Sequence, residues 1–213
     1  MALVEPDVAL TDFALAAECA LFAGWLQWRR GAWGPLRHWF SALFAALCVG
    51  ALLGGITHGV FGSAQADLAR ALWAATLVSI AVAALACWAI GAHLLAPGYA
   101  ATRIVGAAAA LWAVNVAAVL FVSPHFATAI AFYAPAVLFV LLGLVVAYVR
   151  TAKRALLPGI AGVLLSIVAA AIQQMQVAAF GLSHNALYHV VQAVGLLLMF
   201  ATALALFRPA VRP

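Results

Sequence analysis

The sequence predicts an all-α integral membrane protein, a bundle of seven transmembrane helices with the N-terminus outside and the C-terminus in the cytoplasm. Of its 213 residues, 69% are hydrophobic and only 7% are charged, whereas a soluble domain carries roughly 25% charged residues. The apolar residues also fall into seven stretches, each close to the roughly 20 residues that cross a bilayer as a helix. The third observation is an uneven distribution of basic residues, which sets the orientation.

The seven apolar stretches follow one another with short breaks, so residues 1–213 form a single membrane domain. Glycine, proline and short polar runs mark the breaks, as expected for turns between helices. Pro135 falls inside the fifth stretch, where neighbouring helices make a proline tolerable. The predicted helices cover about residues 12–28, 37–60, 66–93, 102–122, 126–149, 156–179 and 186–207.

Basic residues mark one side of the membrane. Every lysine and arginine except Arg70 lies near the breaks after helices 1, 3 and 5 or in the C-terminal tail, and the positive-inside rule makes this side cytoplasmic. Arg70 follows Asp67 by three positions and can pair with it. Glu5, Asp7 and Asp12 precede or begin helix 1 on the opposite side. The net charge of +5 therefore follows from topology, and no nucleic-acid partner is needed to explain it.

Polar side chains concentrate at the outer ends of the predicted helices. Because polar groups inside a membrane are costly and usually face the bundle interior or a cavity, this asymmetry predicts a polar pocket that opens outward. Gln173 and Gln176 are expected on one face of helix 6, and Asn185 and His189 on one face of helix 7. The candidate pocket residues are Glu18, Thr57, Asn115, Gln173, Gln176, Asn185, Tyr188 and Gln192, together with His58, Asp67, His184 and His189.

The histidines at this end suggest a metal site. Neutral imidazoles from different helices, oriented by carboxylates or amides, form zinc sites, and zinc activates a bound water for hydrolysis at neutral pH. His58 and His189 are the candidate ligands, with His184 as a third, and Asp67 is the candidate general base or orienting group. A structural interpretation stays open beside this one, because histidines near helix ends often lie at the membrane interface and amides often join helices.

These residues resemble a pattern found in the CREST superfamily, which includes the alkaline ceramidases and the progestin and adipoQ receptors. His58 at the end of helix 2, Asp67 at the start of helix 3 and His189 on helix 7 match the family positions in type and place. The resemblance implies three zinc-binding histidines and hydrolysis of a lipid amide such as ceramide. It suggests a divergent, bacterial-looking member in the bacterial inner (plasma) membrane.

The chain departs from the CREST pattern at two positions. Gly54 stands where the family has a serine, although Thr57 is nearby, and Asn185 stands where the family has the first histidine of helix 7. Zinc binding would then require His184 as the third ligand. The missing serine would remove one partner for the attacking water or the oxyanion.

Two functional hypotheses from different classes follow. The first is a zinc-dependent hydrolase of a lipid amide or ester, with a lipid-like substrate drawn from the membrane. The alternative is a non-catalytic binding, sensor or transport protein that uses the same pocket, which the missing serine and displaced histidine favour. A third hypothesis is a b-type haem protein with paired histidine ligands. A retinal photoreceptor is disfavoured, because the single lysine, Lys153, lies in a predicted loop.

Overall fold

The structure, a computed structural model, describes residues 3–28, 34–61 and 67–207. These ranges contain seven helices long and apolar enough to cross a membrane, and no β-strand. The predicted fold class, an all-α seven-helix integral membrane protein, is therefore confirmed. The helices are α1 (Pro6–Trp28), α2 (Pro35–Ile56), α3 (Asp67–Leu95), α4 (Gly98–Phe121), α5 (Phe126–Thr151), α6 (Leu157–Gln174) and α7 (His184–Leu206). A π-helical turn, Thr57–Phe61, extends α2, and a 3-10 turn, Arg154–Leu156, precedes α6.

The first helix begins earlier than the sequence predicts. It starts at Pro6 rather than near residue 12. A proline suits the first helical position, where its missing N–H would have no partner in the helix. Asp7 therefore lies within α1, and Asp12, which stands at the predicted start of the helix, lies well inside it, which changes what Asp12 can contact.

The ends of α6 and α7 that lie near the predicted pocket also differ from the prediction. α6 ends at Gln174 rather than near residue 179, and two residues later Gln176 adopts a left-handed conformation with φ 54°. The prediction that Gln173 and Gln176 share a helix face is therefore wrong. α7 begins at His184, two residues before its predicted start, so His184 belongs to the helix.

In the described residues, six of the helices form a closed ring. Around it α1 packs on α2, α2 on α3, α3 on α5, α5 on α6, α6 on α7, and α7 on α1. The remaining helix, α4, lies outside the ring against α3 and α5, and most of it is exposed. Successive helices cross in opposite directions. The starts of α1, α3, α5 and α7 therefore share one end of the bundle, here called the N-terminal end, with the ends of α2, α4 and α6.

The opposite end is here called the basic end. Its described basic residues are Arg37, Arg103, Arg150, Lys153 and Arg154, as the sequence predicts for the cytoplasmic side. The other basic residues assigned to that side, Arg29, Arg30, Arg208 and Arg212, lie outside the described residues.

Glycines bring α6 and α7 into backbone contact. A Cβ atom built on Gly162 would lie 2.4 Å from the carbonyl oxygen of Gly195, and one built on Gly195 would lie 2.8 Å from that of Gly162. At such a distance neither position has room for a side chain, which is how small residues let membrane helices approach closely. α3 and α5 meet similarly, since a Cβ on Gly143 would lie 3.0 Å from the Cα of Gly91.

Phenylalanines fill the interior of the ring toward the basic end. The ring of Phe22 stacks on that of Phe200 with centroids 4.2 Å apart, and meets the ring of Phe44 edge-on at 5.3 Å. Phe40 contacts Phe207 at a centroid distance of 6.2 Å. Phe40 and Phe44 are completely buried. These five residues, here called the aromatic cluster, close the interior of the described bundle on this side.

Arg37 joins α1 to α2 at the basic end. Its side chain is buried, Nε donates a hydrogen bond to the carbonyl oxygen of Leu26 at 2.7 Å, and Nη2 donates to the same oxygen. The last carbonyls of a helix lack partners within it, and a cation there also complements the helix dipole. Arg37 therefore has a structural role in addition to its expected part in setting the topology.

Candidate functional site

A cavity of about 290 Å³ lies inside the ring near the N-terminal end. On α2 it extends from His58 to Leu47, which corresponds to about 16 Å along the helix at roughly 1.5 Å per residue. Its lining comes from six helices and excludes α4. The lining residues are Asp12, Leu15, Leu47, Gly50, Ala51, Gly54, His58, Trp73, Thr76, Ile80, Phe126, Gln173, Asn185, Tyr188 and His189.

The lining changes from polar to apolar with depth. The lining residues on α7 and at the end of α6, Asn185, His189 and Gln173, carry polar groups near the N-terminal end. One or more turns deeper, Leu15, Leu47 and Ile80 line the cavity with aliphatic side chains. A bound molecule would therefore meet polar groups at one end and hydrocarbon at the other.

His189 and Asp12 form the most deeply buried polar pair of this cavity. Nε2 of His189 lies 3.2 Å from Oδ1 of Asp12, and the two side chains are 11% and 6% exposed. The other ring nitrogen, Nδ1, lies 3.1 Å from the hydroxyl of Thr11. That hydroxyl is also within hydrogen-bonding distance of the carbonyl oxygens of Asp7 and Val8, one turn earlier in α1. Both nitrogens of His189 therefore face α1, which fixes the orientation of the ring.

Gly54 lets Asp12 approach α2 closely. A Cβ atom on Gly54 would lie 3.2 Å from Oδ2 of Asp12, tighter than most contacts of real Cβ atoms. The next glycine, Gly55, accommodates the ring of Phe13 in the same way, with 2.7 Å from its built Cβ to the ring. A serine at position 54 would press on the Asp12 carboxylate. Gly54 therefore leaves room for the Asp12 carboxyl group between α1 and α2.

His58 is held by the segment that precedes α1. Its Nδ1 lies 2.7 Å from Oε2 of Glu5, and the backbone N–H groups of Val4 and Glu5 donate to the carbonyl oxygens of Gly59 and His58. These contacts hold the π-helical turn that carries His58. Turns of this type are frequent at functional sites. A carboxylate bonded to Nδ1 orients the ring and leaves Nε2 as its other polar atom.

The start of α7 is attached to the start of α1. The Ser183 hydroxyl accepts a hydrogen bond from the backbone N–H of Ala186 at 3.3 Å, which caps the helix. The backbone N–H of Ser183 in turn donates to Oδ2 of Asp7 at 2.9 Å. This contact holds the first turn of α7, and with it the cavity wall, against α1.

The structure brings five of the predicted pocket residues together. His58, Gln173, Asn185, Tyr188 and His189 all line the cavity. Their convergence agrees with the sequence argument that polar residues at one end of the helices form one pocket.

Two residues of the predicted metal and catalytic set lie elsewhere. Asp67 is almost fully exposed at the start of α3 and pairs with Arg70, as its spacing suggested. His184 is half-buried at the start of α7 and does not line the cavity. The described residues contain no group of three or more His, Cys, Asp or Glu side chains able to hold a metal ion. The residues present do not fit the three-histidine site of the resemblance, and zinc stays a prediction.

The other predicted pocket residues contribute to helix packing or lie in a loop. The amide of Asn115 donates to the carbonyl oxygen of Thr128 at 2.8 Å and joins α4 to α5. Gln192 is buried deeper in the ring and donates to Ser166 on α6 at 3.1 Å. The Thr57 hydroxyl donates to the carbonyl oxygen one turn earlier. Glu18 has a buried carboxylate oxygen without a hydrogen-bond partner and does not line the cavity, while Gln176 is exposed in the loop after α6.

Asp12 is the site residue that the sequence interpretation missed. Its position at the predicted start of helix 1, after Glu5 and Asp7, assigns it to the outer side of the membrane. A helical signal was present, however, since Asp12, Leu15, Cys19 and other residues at three- and four-residue spacing form the buried face of α1. Continuing that face backward from the apolar residues would have placed Asp12 inside the bundle.

The fold and the cavity define a class of protein, a seven-helix integral membrane protein with a half-polar cavity at one end of the bundle. The chain belongs to a family of unknown function, DUF6962, whose model matches residues 8–207. The match extends from the first turns of α1 to the end of α7 and includes every residue that lines the cavity. No curated protein and no solved structure matches the chain.

Proposed function

We propose that this protein binds a small amphipathic molecule in the cavity and acts as a non-catalytic receptor, sensor or carrier. The observation that carries the proposal is the gradient within one cavity, from His189 and Asn185 at the N-terminal end to Leu47 and Ile80 in depth. Small-molecule sites are concave and mostly apolar, with a few placed polar groups that orient the ligand. The surrounding membrane lipid supplies and concentrates molecules of this kind.

The proposal includes an orientation and a location. The N-terminal end faces outward and the basic end faces the cytoplasm of a bacterium, with the bundle in the inner membrane. The positions of Arg103, Arg150 and Lys153 at the end opposite the cavity support this orientation. The ligand then enters from the outer leaflet or the outer aqueous phase.

Filling the cavity tests the proposal. Ala51 is buried and lines the cavity beside Gly54, so Ala51→Phe should occupy the ligand space. We expect 1-octanol, measured by titration calorimetry of protein in lipid nanodiscs against empty nanodiscs, to bind the unmodified protein. The variant should bind it at least about tenfold more weakly, a loss of roughly 1.4 kcal/mol.

A matched control separates cavity filling from a general effect of a larger side chain. Ala107→Phe introduces the same ring on the exposed surface of α4, which contributes nothing to the cavity. Octanol binding should be unchanged in this variant. Equal affinities in Ala51→Phe and the unmodified protein, or no binding to either, would contradict the proposal.

A zinc-dependent hydrolase of a lipid amide or ester is the second candidate. It is favoured by one observation, that His58 and His189 both line the cavity. This candidate requires a ring nitrogen of His189 to exchange its contact with Asp12 or Thr11 for the metal. On this candidate, purified protein should contain about one zinc ion per chain by elemental analysis. The metal should be lost in both His58→Ala and His189→Ala. Protein that is folded, binds octanol and contains no zinc after incubation with it would exclude the candidate.

A further inference from the structure

The charged groups around the cavity favour one sign of ligand charge. Asp12 lines the cavity, and none of the described lining residues is a lysine or arginine. Arg70, one turn before the lining residue Trp73, has a largely exposed side chain and pairs with Asp67. An anionic ligand would therefore meet no lysine or arginine in the described lining, whereas a cationic ligand would meet a carboxylate.

The two histidines do not reverse this balance. His58 is bonded to Glu5, and His189 lies beside Asp12. Each imidazole therefore has a carboxyl group of its own within 3.2 Å, and neither adds an unbalanced basic group to the cavity. Asp7 adds a further carboxylate at the same end, bonded to the backbone N–H of Ser183. The described groups at the polar end of the cavity therefore include no excess of basic over acidic side chains.

Asp12 retains an oxygen for a ligand. Oδ1 faces His189, and among the described residues Oδ2 has no hydrogen-bond partner. Oδ2 lies beside Gly54, where the absence of a side chain leaves the space between α1 and α2 to the carboxylate. A charge-assisted hydrogen bond from an ammonium group to a carboxylate is about twice as strong as a neutral one. Such a donor would complete the bonding of Asp12.

The remaining walls suit an organic cation with an apolar body. Trp73, Phe126 and Tyr188 place aromatic side chains in the lining, and aromatic faces attract ammonium groups. Leu47 and Ile80 offer hydrocarbon for the rest of the molecule. A free inorganic cation would leave these apolar walls unused.

We infer that the ligand of this cavity is an organic ammonium ion with an apolar body, and that Asp12 is its counter-ion. This inference rests on the proposed function, because it requires that the cavity binds an amphipathic molecule at all. It adds the charge of the polar group and the residue that recognises it.

A headgroup series tests the inference on the unmodified protein. The probes are octylammonium, 1-octanol and octanoate, which share an eight-carbon chain and differ in charge. They are titrated into protein in nanodiscs of zwitterionic lipid, with empty nanodiscs as the baseline. Octylammonium should bind at least about tenfold more tightly than octanol, since a hydrogen bond to a charged group contributes more than a neutral one. Octanoate should bind more weakly than octanol, because its carboxylate would meet Asp12 and no lysine or arginine in the described lining.

Asp12→Asn identifies the residue responsible. The amide keeps the size of the side chain and removes its charge, so octylammonium should bind no more tightly than octanol in this variant. Octanol binding should persist and report an intact cavity. Asp67→Asn is the matched control, because it removes an almost fully exposed carboxylate at the same end of the bundle and outside the cavity lining, and it should keep the preference for octylammonium.

Each outcome supports or overturns the inference. Octylammonium binding no tighter than octanol, or a preference that survives Asp12→Asn, would overturn it while leaving the proposed function intact. Binding of none of the three probes would remove the proposed function as well. Because the headgroup series needs no substitution, a variant that fails to fold does not prevent the test.

Discussion

Gly162→Ala should separate α6 from α7 and lower the free energy of unfolding by about 2 kcal/mol, within the range for overpacked sites. A Cβ atom at this position would lie 2.4 Å from the carbonyl oxygen of Gly195, and a backbone atom cannot move aside as a flexible side chain can. Unfolding of the purified protein in mixed micelles by added sodium dodecyl sulfate, followed by circular dichroism, measures the change.

The chain offers a control for the loss of a glycine itself. Gly106 lies on α4, where a built Cβ would have nothing within 4 Å. Gly106→Ala should leave the protein unchanged or more stable by up to about 1 kcal/mol, because alanine has the higher helix propensity. Equal effects of the two substitutions would show that the α6–α7 contact is looser than the structure indicates.

His189→Leu should lower the free energy of unfolding by about 2 kcal/mol, because it leaves the buried carboxyl group of Asp12 without its partner. The side chains of His189 and Asp12 are 11% and 6% exposed, so water has little access to hydrogen-bond the carboxyl group in place of the histidine. Adding Asp12→Leu to this variant removes the unpartnered carboxylate. The double variant should then be at least about 1 kcal/mol more stable than the sum of the two single effects predicts.

A second histidine on the same helix provides the comparison. His184 is half-buried at the start of α7 and lies outside the cavity lining, so His184→Leu should change the free energy of unfolding by less than about 1 kcal/mol. Both measurements use the unfolding assay described for Gly162. Strictly additive effects of Asp12→Leu and His189→Leu would contradict a direct interaction between the pair.

The membrane made the fold class predictable from sequence. Apolar stretches must form helices of a length set by the bilayer, so the count and approximate positions of all seven helices follow from hydropathy. Helix ends were less predictable. The apolar residues from Val177 to Phe180 resemble a continuation of α6, and only the left-handed backbone at Gln176 shows that the helix has already ended.

The site was predictable as a region and not as a set of contacts. His58 and His189 were placed at one end because helix direction follows from counting spans, and both line the cavity. The order of helices around the ring is not encoded in hydropathy, so Asn115 on the peripheral α4 was grouped with them. Hydropathy alone does not identify Asp12 as a pocket residue, because an acidic residue near a helix start usually marks the water phase.

The aromatic cluster has a consequence for the proposed receptor, sensor or carrier. With the interior of the ring filled on the basic side by Phe22, Phe44 and Phe200, a molecule that enters the cavity leaves by the route it came. On the proposed function, occupancy of the cavity would then follow the ligand concentration in one compartment and would be insensitive to the other. A protein with this function would, in this conformation, sense its ligand on a single side of the membrane, and a signal to the other side would require movement of the helices.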